Sequence, residues 1–280
     1  MPAPVLYESH CHTPLCNHAV GQPTEYAAAA HARNLAGLIV TCHCPLPDGI
    51  SAPVRMRPDE FDHYADLVAR TRDEWAGRLD VRLGLESDYY PGVEPWLEKL
   101  HARHQLHHVL GSVHYHVPEY RDTYDRGSVY DYQQIYYDHL AASAETGLYD
   151  TLAHPDLIKN EDPDEWEFAR IRPFIERALD RIAATGVAME LNTSGLGKSL
   201  PEMNPSLSQL TLARERGIPV VLGADAHRPA RVADDYAEAL DLIADAGYDE
   251  VSYFLDRKRR TIPLPTARAS LGEPTAAALT

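Results

Sequence analysis

Seven short apolar runs recur along the chain, and each leads to a polar or metal-binding residue. Residues 5–7 lead to His10 and His12, 35–40 to His43, 81–85 to Glu86, 108–113 to His114, and 149–153 to His154. Residues 187–191 lead to Asn192-Thr193-Ser194, and 218–223 to Asp225 and His227. Short runs of this kind, bounded by Gly, Pro or Asp, read as buried strands. Helical spacing lies between them, at 24–34, 58–75, 129–145, 165–185, 206–216 and 231–246, with a weaker stretch at 95–103. The first of these has a cap at Thr24 followed by Glu25. Strands alternating with helices imply parallel strands joined by crossovers. Polar residues at every strand end point to an α/β fold of the barrel kind, whose site is built at the C-terminal ends of the strands. Seven strands make the barrel a distorted one. An open doubly wound sheet is the alternative, but it concentrates its site at a switch point.

The chain has 280 residues, enough for one large core. We read 1–262 as one domain and the Ala-, Thr- and Pro-rich stretch 263–280 as a C-terminal tail. No apolar run approaches the ~18 residues that span a bilayer. The N-terminus has neither the basic start nor the apolar core of a secretory signal. The expected location is cytoplasmic, with no membrane partner. A formal net charge of -16 disfavours binding to polyanions, so no nucleic-acid partner is expected. The oligomeric state is left open. Cys11, Cys16, Cys42 and Cys44 all lie near the N-terminus and do not form a disulfide framework for a chain this long.

Alternate residues of a strand face the same way, so His10 and His12 can point at one ion. Asp225 and His227 share that spacing; alone, the Asp is equally an N-cap for the next helix. Glu86 ends a buried strand, where a carboxylate is costly unless paired or metal-bound, and its two oxygens can bridge two ions. His18, His43, His114 and His154 gain weight collectively, because a barrel brings strand ends together. Neutral imidazoles with two carboxylates suit Zn, Fe or Mn, and two such ions side by side suit attack at phosphorus.

These residues resemble the PHP (polymerase and histidinol phosphatase) superfamily. The matching pieces are His10-Cys11-His12 with His18, Thr41-Cys42-His43, Glu86, Gly111-Ser112-Val113-His114, Leu152-Ala153-His154-Pro155 and Gly223-Ala224-Asp225-Ala226-His227. Gly-Ser-Val-His and Glu190-Leu191-Asn192-Thr193-Ser194-Gly195-Leu196 look like its histidinol-phosphate phosphatase branch. The resemblance implies a (β/α)7 barrel with a trinuclear centre, so two or three divalent ions are expected. His10, His12, Glu86 and Asp225 would share one ion. Glu86 would bridge to a second, held with His114 and His154. His18, His43 and His227 would hold the third. Many members carry Asp where this chain has Cys42, which reads here as a small buried neighbour. Cys11 alternates away from the two histidines and reads as packing.

The reaction this implies is hydrolysis of a small phosphate monoester, L-histidinol phosphate, in histidine biosynthesis. The alternatives are another phosphoesterase of the superfamily (an oligonucleotide exonuclease or a phosphotyrosine phosphatase), a metal-dependent amide or lactone hydrolase, and a non-enzymatic metal-binding domain. Asp225 and His227 are the candidates for proton transfer. A phosphate also needs donors beyond the ions. Ser194, Lys198, Arg228, Lys159 and His116 are the substrate-binding candidates, and Asp88 or Glu161 could read the amine. His101, His104, His107 and His108 read as a surface cluster at the end opposite the site.

Overall fold

A computed structural model describes residues 3–271. Nine strands form one sheet in sequence order. They are β1 (Tyr7–Glu8), β2 (Gly37–Val40), β3 (Asp80–Asp88), β4 (His108–Ser112), β5 (Thr151–Leu152), β6 (Ala188–Asn192), β7 (Val220–Gly223), β8 (Glu250–Leu255) and β9 (Lys258–Pro263). Every neighbouring pair from β1 to β8 is parallel, and β9 returns antiparallel to β8. The first seven strands answer to the seven apolar runs. The helices are α1 (Pro23–Ala32), α2 (Phe61–Glu74), α3 (Glu94–His101), α4 (Pro118–Tyr124), α5 (Val129–Glu145), α6 (Phe168–Ala183), α7 (Leu207–Glu215), α8 (Tyr236–Asp245) and α9 (Leu264–Ser270).

The barrel closes just beyond the ends of β1 and β7. Cys11 bridges Ala226 in parallel, with His12 N donating to Ala226 O at 3.0 Å and Ala226 N to His10 O at 3.0 Å. The closure therefore falls on the two segments that carry His10, His12, Asp225 and His227. Elsewhere β8 extends the sheet past β7, and Tyr253 of β8 stacks on Tyr7 of β1 with ring centroids 4.7 Å apart. Close strand packing requires glycine at Gly223. A Cβ there would lie 1.9 Å from Glu190 Oε1 and 2.8 Å from His10 Cβ.

The hairpin of β8 and β9 and the short α4 went unread in the sequence. The hairpin turns on Asp256 and Arg257, both left-handed with φ of 53° and 58°. Such a turn usually announces itself with Asn-Gly or Asp-Gly, and here neither is present. The cap of α1 is also corrected. Gln22 is the N-cap, Pro23 takes the first helical position, and Glu25 Oε2 accepts from Gln22 N. Thr24 instead joins α1 to the end of α2, donating to Glu74 Oε1 at 2.8 Å and accepting from Trp75 Nε1 at 2.9 Å. Within the stretch read as a tail, residues 264–270 form α9, with Leu264, Ala267 and Ser270 buried; 272–280 lie outside the described residues. No helix among the described residues is long and apolar enough to cross a membrane.

Candidate metal centre

Glu86 lies near the end of β3, fully buried, and its two oxygens face different imidazoles. Oε2 lies 2.7 Å from His43 Nδ1, 3.5 Å from His10 Nε2 and 3.7 Å from His12 Nε2. Oε1 lies 3.1 Å from His154 Nε2 and 3.4 Å from His114 Nε2. Asp225 closes the first group, with Oδ1 3.0 Å from His12 Nε2 and 3.6 Å from His10 Nε2. The residues expected to share an ion therefore converge.

Several donor atoms here are buried without a hydrogen-bond partner: His10 Nε2, Glu86 Oε2, His43 Nδ1 and His227 Nε2. His43 Nδ1 and Glu86 Oε2 approach to 2.7 Å yet lack hydrogen-bond geometry, so they do not satisfy one another. Buried polar atoms are rarely left unpaired, and a cation between them satisfies all of them at once. The donor atoms of His10, His12 and Glu86 lie within 4.8 Å of one another, as do those of His43, Glu86 and His114. The carboxylates are in the form that binds metal. Burial opposes ionisation of Glu86, but the imidazoles of His43, His10 and His114 hold it well below the usual carboxylate range. Asp225 is held down in the same way against burial by His10, His12 and His227. Burial pushes His43 down to about 3, which leaves a neutral ring with a free lone pair. His10 and His114 are instead raised, against burial, by the carboxylates they face, so an ion binding there would displace their protons.

A second layer of residues aims these ligands. Glu190 Oε1 lies 2.7 Å from His10 Nδ1, and its Oε2 accepts from His154 N at 2.8 Å and Asn192 Nδ2 at 2.9 Å. Asp88 Oδ1 lies 3.0 Å from His114 Nδ1, and the buried Arg55 guanidinium grips the same carboxylate at 3.2 and 2.7 Å. Glu8 accepts from His10 N, Ala224 N and Ala233 N at 2.9, 3.0 and 2.7 Å, tying β1 to the segment that bears Asp225. Carboxylates behind histidine ligands fix the tautomer and orient the ring. His154 and Asp225 also adopt positive φ, 30° and 50°. Strain of this kind collects at functional sites. Among these residues, Glu8, Glu190 and Arg55 were given no site role on sequence reasoning; buried carboxylates on strands were the available signal.

The centre opens into a cavity of about 530 Å³ lined by His18, His43, Glu86, His114, His154, Asp225 and His227 together with Ser194, Lys198, His116 and Arg55. Ser194 Oγ donates to Asp225 Oδ2 at 3.2 Å. Two expected substrate contacts lie elsewhere. Lys159 is fully buried, and its Nζ is taken by Asp156 Oδ2 at 3.0 Å, Met203 O at 2.9 Å and Glu202 Oε1 at 3.1 Å. Arg228 is exposed and does not line the cavity. Neither candidate amine reader lines the cavity: Asp88 pairs with Arg55 and His114, and Glu161 with Arg121. His107 and His108 are buried rather than on the surface. His108 stacks on Phe254 at 5.2 Å and its Nε2 lies 2.9 Å from Thr151 Oγ1. Burial fits the two remaining cysteine readings, because Cys42 and Cys11 are both buried. Thr13 N and Oγ1 donate to Cys42 Sγ at 3.4 and 3.2 Å.

The third expected set assembles differently. His18 and His227 place their donor atoms within 4.8 Å of one another and of Cys16 Sγ. His43 instead groups with His12 and His227, and with Glu86 and His114. The hydrogen bond from Cys42, burial opposing it, and the imidazoles of His12, His18 and His227 draw the Cys16 thiol below its ordinary range.

Comparison with known proteins gives a consistent picture. The family described as PHP domain matches residues 8–194. A probable histidinol-phosphatase of Deinococcus radiodurans is 39% identical over 257 residues, covering 89% of this chain and 96% of the relative. A histidinol-phosphatase of Bacillus subtilis is 24% identical over 271 residues, covering 84% and 98%. Among solved structures, histidinol phosphate phosphatase of Lactococcus lactis, complexed with zinc, L-histidinol and phosphate, superposes with a TM-score of 0.73. It is 19% identical and covers 93% of this chain and all of that one, a likeness of fold.

Proposed function

The chain belongs to the PHP domain family, and we propose that it is a metal-dependent phosphomonoesterase that converts L-histidinol phosphate to L-histidinol and phosphate in histidine biosynthesis. The observation that carries the reading is Glu86, whose two oxygens serve two groups of imidazoles at the base of a cavity. The substrate rests on the 39% identity with the Deinococcus radiodurans relative.

In this reading the centre takes two or three divalent ions, zinc, iron or manganese. His10, His12, Glu86 and Asp225 would hold one, and Glu86, His114 and His154 another, with His43 beside Glu86. Ions bound there would neutralise the phosphate oxygens and lower the pKa of a coordinated water. Lys198 lines the cavity and supplies a donor to the phosphate, beside Ser194, whose hydroxyl is held by Asp225. His116 stands on the exposed part of the lining, where the rest of the substrate must pass. The Asp225 carboxylate is held well below the usual carboxylate range, so it stays ionised and serves as a ligand rather than as an acid. His227 Nδ1 lies 3.3 Å from Asp225 Oδ1. The attacking water gives up a proton and the leaving alkoxide takes one up from solvent as the ester P–O bond breaks. Asp88 and Glu190 keep the His114 and His10 rings in place throughout.

The test is phosphate release by the metal-loaded protein from L-histidinol phosphate, a phosphotyrosine and a short oligonucleotide in one assay. A clear preference for L-histidinol phosphate supports the reading. Turnover of another ester with none of this one keeps the centre and discards the substrate.

A further inference from the structure

We infer that Cys16 supplies a thiolate ligand to the ion held by His18 and His227, so that one position of the centre contains sulfur. The inference rests on the metal-centre reading above and concerns which residues complete it.

The geometry begins with the two imidazoles. His18 Nδ1 lies 2.7 Å from Cys16 O, and His227 Nδ1 lies 3.0 Å from Asp225 O. In each ring a backbone carbonyl occupies Nδ1, which fixes the tautomer and leaves Nε2 with its lone pair. His227 Nε2 is buried and has no partner. The rings stand 4.5 Å apart between centroids. The donor atom that completes a compact set with them is Cys16 Sγ.

Cys16 is held there by its backbone. It closes the 3-10 turn Pro14–Cys16 directly after His12, with Cys16 N donating to Thr13 O at 3.1 Å and Asn17 N to Pro14 O at 2.9 Å. Asn17 caps the turn in the left-handed conformation, and its side-chain amide donates to Arg55 O at 3.1 Å. The thiol is fully buried and not in a disulfide. Cys42 is its neighbour, but Cys42 Sγ takes both Thr13 donors and forms no set with His18 and His227. His43, the ligand expected in the third place, also sets its donor atom within 4.8 Å of that of His227, while its Nδ1 approaches Glu86 at 2.7 Å.

When the ion binds, the Cys16 S–H proton leaves to solvent and the thiolate takes its place. A soft sulfur ligand favours zinc, cobalt or iron(II) over manganese at this position.

The experiment loads the full chain with Co(II) and records the near-ultraviolet charge-transfer band that thiolate ligands give and nitrogen and oxygen ligands do not. The expected result is a band in the native protein and in Cys42→Ser, lost in Cys16→Ser. In parallel, X-ray absorption of the zinc-loaded native protein is expected to show a sulfur shell at about 2.3 Å. Cys11 and Cys44 belong to no compact donor set, so a band that survives in Cys42→Ser assigns the sulfur even if Cys16→Ser does not fold. Bound cobalt without the band, or bound zinc without a sulfur shell, overturns the inference and leaves the rest of the centre standing. A band kept in Cys16→Ser and lost in Cys42→Ser overturns it in favour of Cys42. Failure to bind either ion contradicts the metal-centre reading itself.

Discussion

Glu190 Oε1 lies 2.7 Å from His10 Nδ1, and this contact leaves His10 Nε2 to face Glu86 and Asp225. Replacing Glu190 with Gln removes the charge that supports the His10 ring while keeping its size. We expect metal affinity to fall roughly 10–100-fold, the range for losing an outer partner of a histidine ligand. Competition for zinc against a chelator of known affinity measures it. Unchanged affinity would show that Glu190 only packs.

Lys159 and Lys198 separate structure from substrate binding. Lys159→Met leaves Asp156 and Glu202 without their cation and should destabilise the fold by about 3–5 kcal/mol in denaturant unfolding. KM of the protein that does fold should stay close to native. Lys198→Ala should raise KM by about tenfold, the loss of roughly 1.4 kcal/mol in phosphate binding, with little change in stability. The opposite pattern would put Lys159 back in the site.

Gly223 and Gly197 make a second contrast. A Cβ at Gly223 collides with Glu190 and His10, so Gly223→Ala should cost about 1–3 kcal/mol and weaken metal binding. Nothing lies within 4 Å of a Cβ at Gly197, and Gly197→Ala should stay within about 0.5 kcal/mol of native. Thermal unfolding with and without zinc distinguishes the two.

His108 gives the stability a pH dependence away from the centre. Burial, with Arg257 and His10 adding to it, pushes its pKa from 6.5 down to about 3. The unfolded chain therefore binds this proton first as the pH falls. The contribution to stability is complete above pH 6.5 and is lost as the pH drops towards about 3, at up to about 1.4 kcal/mol per pH unit. His108→Gln, which does not titrate, should flatten acid unfolding over that window. An unchanged slope would mean that other groups carry it.

The seven strands were legible because each apolar run is short, buried and followed by a residue with chemistry to do, and His10, His12, Glu86 and Asp225 converge for that reason. The hairpin after Leu255 was hidden because its left-handed turn is built from Asp256 and Arg257 rather than glycine. Lys159 was misread because the sequence shows a charge near a strand end but not the Asp156 that claims it. The nearness of the Cys16 thiol to His18 and His227 was hidden because sequence spacing gives no distance across a turn. Glu190 read as a strand residue and Glu8 was given no role, and only the closed barrel shows that both support the ligands.

The most direct test is anomalous diffraction from crystals of the zinc-loaded protein. The account predicts peaks on both sides of Glu86, one among His10, His12 and Asp225 and one beside His114 and His154. A catalytically active, metal-loaded crystal with no peak at Glu86 would contradict it.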